Sequence, residues 1–291
     1  SGECVAWPRS CELVGRARGC DFVSIAGGTF TMGDEDASAE GGTGAFPEQA
    51  GITVGALTID AYEVTVERFR AFWAAGHPAP EGPVLYPGGG SATVARVTAP
   101  TATESDAACN WSSDAGAREA HPINCVTWST ALAFCAWDGG RLPTEAEWEW
   151  AARGRAVGAL APGRDFPWGD DMPEGSVGGV CDLAHAFECE GSDGARTREV
   201  GAFPASAGIH DQIGNVGELT ADEYQLYGAG RSVCWTDAPQ TDPLCDVAGE
   251  GNERTVRGAS LAAMTRGGLM SATRRSVAEG EYGTVGFRCV R

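Results

Sequence analysis

Lysine is missing from this chain. All 21 basic residues among its 291 are arginine, which excludes Schiff-base chemistry, a Walker-type phosphate lysine and lysine general bases together. Positive charge as a whole is scarce, because 40 Asp and Glu stand against those 21 Arg and leave a formal net charge of −19. Nucleic acid and anionic membrane surfaces bind through clustered positive charge, so neither is an expected partner. Long apolar runs are missing too. No stretch approaches the roughly 18 uninterrupted apolar residues of a membrane helix, and no membrane span is expected. None of the eleven cysteines stands in a CxxC pair, the close spacing that zinc ribbons and thioredoxin-type redox sites usually use.

What is abundant is turn chemistry: 42 glycines and 15 prolines argue against a chain of long helices and for irregular backbone. Scattered cysteines in a lysine-free, acidic, turn-rich chain suit disulfides formed in an oxidising compartment. The expected location is therefore secreted, extracellular or at a cell surface, with the periplasm as an alternative. The start at Ser1-Gly2-Glu3-Cys4, with neither Met nor an apolar leader, fits a signal peptide already removed. The odd cysteine count leaves one thiol unpaired or bonded to another chain.

Residues 1–21 hold Cys4, Cys11 and Cys20 in a polar setting and read as a stapled N-terminal extension whose pairing stays open; residues 22–291 read as one domain. Phe22-Val23-Ser24-Ile25 and Thr29-Phe30-Thr31-Met32, separated by Gly27-Gly28, predict a hairpin. Residues 33–51 read as an acidic, Gly-rich loop, and Leu57-Thr58-Ile59-Asp60-Ala61-Tyr62 as another strand. Thr65 caps a predicted helix whose Val66, Phe69 and Trp73 share a face and which Gly76 ends. Residues 77–120 predict a long irregular excursion, with Cys109 tied to Cys125 at its end. A second helix begins at Trp128, with Leu132, Cys135 and Ala136 on its face, and stops at Gly139-Gly140. Thr144 and Glu147 form a capping box that opens a third helix, through about Ala152. Further strands are expected near Arg254 to Arg257 and Gly286 to Val290.

Several of these segments are recognisable in order: Gly27-Gly28-Thr29-Phe30-Thr31-Met32-Gly33, Glu63-Val64-Thr65, Pro122 with Val126-Thr127-Trp128, the run Gly140-Arg141-Leu142-Pro143-Thr144-Glu145-Ala146-Glu147-Trp148-Glu149, Phe166-Pro167-Trp168-Gly169, Gly214-Asn215-Val216, Arg257-Gly258 and Gly286-Phe287-Arg288. Together they resemble the formylglycine-generating enzyme (sulfatase-modifying factor) family from about Phe22 to Arg291. The resemblance implies a single α+β domain of the C-type-lectin-like kind, low in regular secondary structure and stabilised by disulfides and calcium. It also implies a disulfide between Cys135 and Cys289, whose 154-residue loop constrains the unfolded chain by roughly 4 to 5 kcal/mol in the chain-entropy model. Cys181, Cys189, Cys234 and Cys245 are further disulfide candidates. A second family disulfide maps onto Ala152 and Thr273 and is absent here.

Founding members of that family oxidise a sulfatase cysteine to formylglycine with copper(I) held by two cysteines, five residues apart, just after an Arg-Gly-Gly-Ser segment. The matching segment is Arg257-Gly258-Ala259-Ser260, and the two cysteine positions become Ala263 and Gly268. Soft sulfur is what selects copper(I), and no cysteine lies between Cys245 and Cys289, so copper is not expected. The thioethers of Met264 and Met270 read as buried packing. His77, His121, His185 and His210 lack the HxxxHxE spacing of an iron-using branch. Calcium is expected instead as a structural ion, at Asn215 and Glu218 of the Gly214-Asn215-Val216-Gly217-Glu218 loop and at a second site on Asp193 and Asp182. Arg266, Arg274 and Arg275, with Ala263 and Gly268, are candidates for lining the groove where the sulfatase peptide would lie, and internal salt bridges to the surplus acids are the alternative, slightly preferred, reading of the arginines.

These features predict a secreted, non-catalytic binding or structural protein on an enzyme scaffold. Its expected partner is a protein or glycan surface, or further copies of itself in an oligomer or filament. The alternative is an oxidoreductase of the same family that acts on a secreted protein through an altered centre.

Overall fold

The computed structural model describes residues 7–15, 19–39, 47–153, 164–172, 177–189, 196–228, 230, 232–249 and 251–291. Its backbone begins with a short helix α1 (Arg9–Leu13), followed by β1 (Phe22–Ile25) and β2 (Gly28–Met32), a short α2 (Glu35–Ala39), β3 (Gln49–Val54) and β4 (Leu57–Asp60). The expected hairpin between β1 and β2 is not formed. β1 pairs with β4, from Phe22 opposite Asp60 to Ile25 opposite Leu57, and β2 pairs with β3, from Gly28 opposite Val54. From Phe22–Asp60 to Phe30–Ile52 the register is the same in both ladders, so the strands continue one antiparallel ribbon interrupted at Gly27 and Gly55, until a bulge between Phe30 and Met32 shifts it. Gly27 is no turn residue. It lets the strands approach, since a Cβ there would sit 2.6 Å from the Val54 carbonyl oxygen. β3 begins inside the stretch expected to be loop, which takes in its first three residues, Gln49 to Gly51.

Helix α3 (Val66–Ala74) starts where predicted, with the Thr65 hydroxyl accepting from Arg68 N, and Gly76 follows its end at φ +87°. The excursion after it holds only a two-residue hairpin, β5 (Val84–Leu85) with β6 (Ser91–Ala92). Helix α4 (Trp128–Trp137) buries every residue except Ala136. A helix apolar all round belongs in the middle of a domain, and α4 packs there with Phe69 and Phe72 of α3, Val256 and Phe287. Helix α5 (Glu145–Ala152) carries the predicted capping box, with Glu147 Oε2 accepting from Thr144 N at 2.8 Å and Thr144 Oγ1 from Glu147 N at 3.2 Å.

The second half contributes β7 (Gly217–Glu223), β8 (Gln240–Thr241), β9 (Arg254–Arg257), the four-residue α6 (Arg266–Leu269), β10 (Arg274–Val277) and β11 (Val285–Gly286). Four of these strands form a sheet ordered β10-β9-β7-β11, and β8 joins the edge of β3. Helix α5 packs against β2, β3, β7 and β9 and so joins the ribbon to the sheet. The final residues run beside β4: Asp60 N donates to the Cys289 carbonyl, and Thr58 and Arg291 exchange both backbone bonds.

The described part of the N-terminal extension is docked onto this body. Arg68 of α3 donates to Ser10 Oγ and the Gly19 carbonyl, while Ser10 N donates to Asp138 at 2.6 Å. Five disulfides are present: Cys11–Cys20, Cys109–Cys125, Cys135–Cys289, Cys181–Cys189 and Cys234–Cys245. Cys4 lies outside the described residues.

Candidate functional site

Strand β9 ends at Arg257, and Gly258 turns the chain at φ +74° under Trp148 and the Gln212 carbonyl, too close for any side chain. The backbone then threads against the 214–216 loop, with Gly214 N donating to the Ala259 carbonyl and Leu261 N to that of Asn215. Ala263 and Gly268 come at one corner, on either side of the Thr265 hydroxyl that caps α6 by accepting from Gly268 N. Ala263 packs against an apolar cluster that includes Trp148, Phe166, Leu269 and Met270, and its carbonyl accepts from Phe187 N at 3.3 Å. Cys189 borders the same cluster, but its sulfur is bonded to Cys181. Of the two thioethers expected to be buried, Met270 is, whereas Met264 is 63% exposed.

The candidate groove arginines do not gather there. Arg266 remains at the corner and pairs with Asp165 at 2.7 Å. Arg274 is fully buried, donating to both oxygens of Glu145 from Nε and Nη2 and to the Gln225 carbonyl from Nη1. A guanidinium in the interior needs a planar acid partner and further acceptors, and β10 turns Arg274 toward α5 to find them. Arg275, the next residue, faces the other way and lies over Gly217. Beside Arg274, Arg257 pairs with Glu145 at 3.3 Å and Glu149 at 2.5 Å, all with buried side chains. The ion pairs of Arg257 and Arg274 thus lie inside the fold, on Glu145 and Glu149, to which the sequence reading gave no ionic role. The only linear hint was an acidic α5 with Glu145, Glu147 and Glu149 in a buried, tryptophan-rich helix.

The expected calcium ligands are engaged by protein. Asn215, at φ +56°, accepts from Arg198 N with Oδ1 at 2.9 Å and donates from Nδ2 to Glu63 at 2.6 Å. Glu218 accepts from Arg288 Nε and Nη2 and from the Trp148 indole. Calcium takes six to eight oxygens, and as placed these residues do not fit it. Burial, with Asp211 and Glu218 close by, raises the pKa of Glu63 well above the usual carboxylate range. Asp182 is exposed, and Asp193 lies outside the described residues. Among the described residues no group of three or more His, Cys, Asp or Glu is arranged to hold a metal ion.

Copper(I) fails the same test. Every cysteine in the described part of the chain is locked in a disulfide, and the corner after Ser260 presents a methyl group at Ala263 and no side chain at Gly268.

Comparison with known proteins places this geometry. The chain is 35% identical over 238 residues to the formylglycine-generating enzyme of Mycobacterium tuberculosis, covering 70% of this chain and 74% of that one. It is 30% identical over 264 residues to a mouse protein named inactive C-alpha-formylglycine-generating enzyme 2, covering 79% and 80%. Among solved structures, PvdO from Pseudomonas aeruginosa superposes with a TM-score of 0.64 at 23% identity, covering 94% of this chain and 95% of that one, a likeness of fold. The sulfatase-modifying factor enzyme 1-like domain matches residues 11–291, and the chain belongs to that family.

Proposed function

We propose that this protein is a secreted, non-catalytic binding or structural member of its family. The observation that carries the reading is the corner after β9. At the two positions that resemble the family's copper-holding cysteines stand Ala263 and Gly268, and no thiol of the described residues is free to replace them. Neither a methyl group nor a hydrogen binds copper(I), so the scaffold is left to hold a partner rather than oxidise one. The relative named as inactive supports this reading, and the relative named formylglycine-generating enzyme marks the competing one.

The partner we favour is a protein or glycan surface, or a second copy of the chain. Arg68, Arg257, Arg274 and Arg288 are buried inside the fold, and the chain's excess of 40 Asp and Glu over 21 Arg makes its exterior acidic. Such a surface disfavours nucleic acid. Five disulfides suit an extracellular setting.

The test is to incubate the protein with copper(I), oxygen and a cysteine-containing peptide, following oxygen uptake and peptide mass. No uptake and an unchanged mass are expected. Conversion of the cysteine to an aldehyde would overturn the proposal in favour of an oxidoreductase with an altered centre.

A further inference from the structure

Beyond the end of β7, a cavity of about 640 Å³ opens among Tyr224, Leu226, Val233, Val247, Gly251 and Glu253. Its walls are tied together by contacts of their own. The Cys234–Cys245 bond joins two of them. The Gln225 side chain spans the same two, with Oε1 accepting from Ser232 Oγ at 2.7 Å and Val233 N at 3.0 Å, and Nε2 donating to the Val247 carbonyl at 2.7 Å. Tyr224 N donates to the Glu253 carbonyl at 2.7 Å and holds the third side. A cavity braced in this way binds without first ordering its walls.

Leu226 is 46% exposed, Val247 49% and Val233 72%. Seven large apolar side chains are exposed among the described residues, and three of the seven meet here. Single exposed apolar residues are ordinary, whereas a group of them around one cavity marks a contact surface. Glu253 carries the only charge among the described residues that border it. Its carboxylate reaches over Gly251, where a Cβ would meet Oε2 at 3.0 Å. It also lies near Tyr224, whose pKa is raised by burial first and then by the Glu145 and Glu253 carboxylates. Gly251 and Tyr224 both border the cavity, so the carboxylate stands at its wall. Among the described residues neither Glu253 oxygen has a hydrogen-bond partner, and both are open to water.

An apolar cavity with one accessible carboxylate suits apolar groups that bring a positive charge, and repels an anion. Its volume exceeds that of a single side chain, and its apolar groups stand round an open rim, so a segment of several residues fits it. We propose that this cavity receives a segment of a partner protein in which a Lys or Arg side chain stands between apolar residues. The apolar residues pack on Leu226, Val233 and Val247, and the cation pairs with Glu253. The inference rests on the binding role proposed above and gives the partner a chemistry.

The experiment is an NMR titration of the methyl-labelled full chain with end-blocked peptides, watching the methyl signals of Leu226, Val233 and Val247. The peptide Gly-Leu-Lys-Leu-Gly is expected to shift all three saturably. It is expected to bind about threefold more tightly than Gly-Leu-Gln-Leu-Gly, the scale of a part-exposed ion pair. Gly-Leu-Glu-Leu-Gly and Gly-Ser-Lys-Ser-Gly are expected to bind about tenfold more weakly than the Lys peptide. Glu253→Gln is expected to remove the advantage of Lys over Gln and to leave the affinity for the Gln peptide unchanged, a pattern that damage to the fold does not produce. Val233→Ser with Val247→Ser, both at exposed positions, is expected to weaken the Lys and Gln peptides about fivefold. Hexylammonium is expected to bind more weakly than the Lys peptide, and equal or tighter binding would overturn the assignment to a protein segment. No saturable shift, equal affinity for the Glu peptide, or an unchanged Lys advantage in Glu253→Gln would overturn the proposal. So would signals that move on dilution without peptide, which assign the face to a second copy of the chain. Failed peptide binding in a protein that leaves a cysteine peptide unoxidised with copper(I) strikes this site alone. Peptide binding beside copper-dependent oxidation strikes the non-catalytic reading alone.

Discussion

Arg288 clamps Glu218 from Nε and Nη2 at 2.7 and 2.6 Å, and both side chains are fully buried. The pair joins β7 to the segment after β11, and Trp148 of α5 adds a third hydrogen bond to the same carboxylate. Removing one partner leaves a bare charge in the interior, which costs about 3–5 kcal/mol. Glu218→Gln and Arg288→Met are each expected to lose that much in denaturant unfolding. The double substitution Glu218→Leu with Arg288→Met is expected to lose less than either single one, because no charge is then stranded. Equal or additive losses would show that the pair is not the unit of stabilisation.

The Cys135–Cys289 bond ties α4 to the chain terminus across 154 residues. Replacing both cysteines by serine is expected to cost about 4 to 5 kcal/mol, against about 2.5 kcal/mol for the short Cys181–Cys189 loop. Equilibrium unfolding of the two variants side by side checks the ranking, and the reverse order would contradict it.

Much of this architecture was readable locally. The Thr65, Thr127 and Thr144 caps act within three residues of themselves, so α3, α4 and α5 begin where the sequence says they do. The Cys109–Cys125 bond closes a short, Pro- and Ala-bearing loop and was equally legible. Non-local pairing was not. β1 and β2 look like a hairpin because Gly27-Gly28 is a turn signal, and only the hidden partner β3, in a stretch rich in Gly and acid, turns them into one ribbon. β7, Gly-Glu-Leu-Thr-Ala-Asp-Glu, reads as polar and is buried along its whole length. Its acids meet partners far along the chain, Glu218 with Arg288 and Asp222 with the Glu145 backbone. For Arg274 an internal salt bridge was one of two readings, but its partner Glu145, 129 residues away, could not be named from the sequence.

Asp222 sets a pH dependence. It is fully buried on β7, accepts from Glu145 N and Cys245 N, and its pKa is pushed up to about 8 by burial and by the nearby Glu145 carboxylate. The folded protein therefore holds this proton more tightly than the unfolded chain, where the ordinary value is about 3.9. Its contribution is complete below about pH 4, declines as the pH rises toward about 8, and is level above that. Unfolding midpoints from pH 4 to 9 are expected to fall less steeply in Asp222→Asn than in the parent. Identical slopes would contradict the assignment.

Calcium is expected to leave stability unchanged, because the carboxylate of Glu218 and the amide of Asn215 are already engaged. A structural site filled at 100 times its dissociation constant would add about 2.7 kcal/mol. Melting curves in EDTA and in millimolar calcium are expected to coincide. A calcium-dependent rise of several degrees would show that the 214–218 loop rearranges to bind the ion.

On the proposed function, the corner at Ala263 and Gly268 has no capacity for copper chemistry. An anaerobic competition titration of the intact, disulfide-bonded protein against a copper(I) chelator tests it most directly. The chelator is expected to keep all the metal at every ratio. Transfer of one copper(I) per chain to the protein, with affinity above the chelator's, would contradict it.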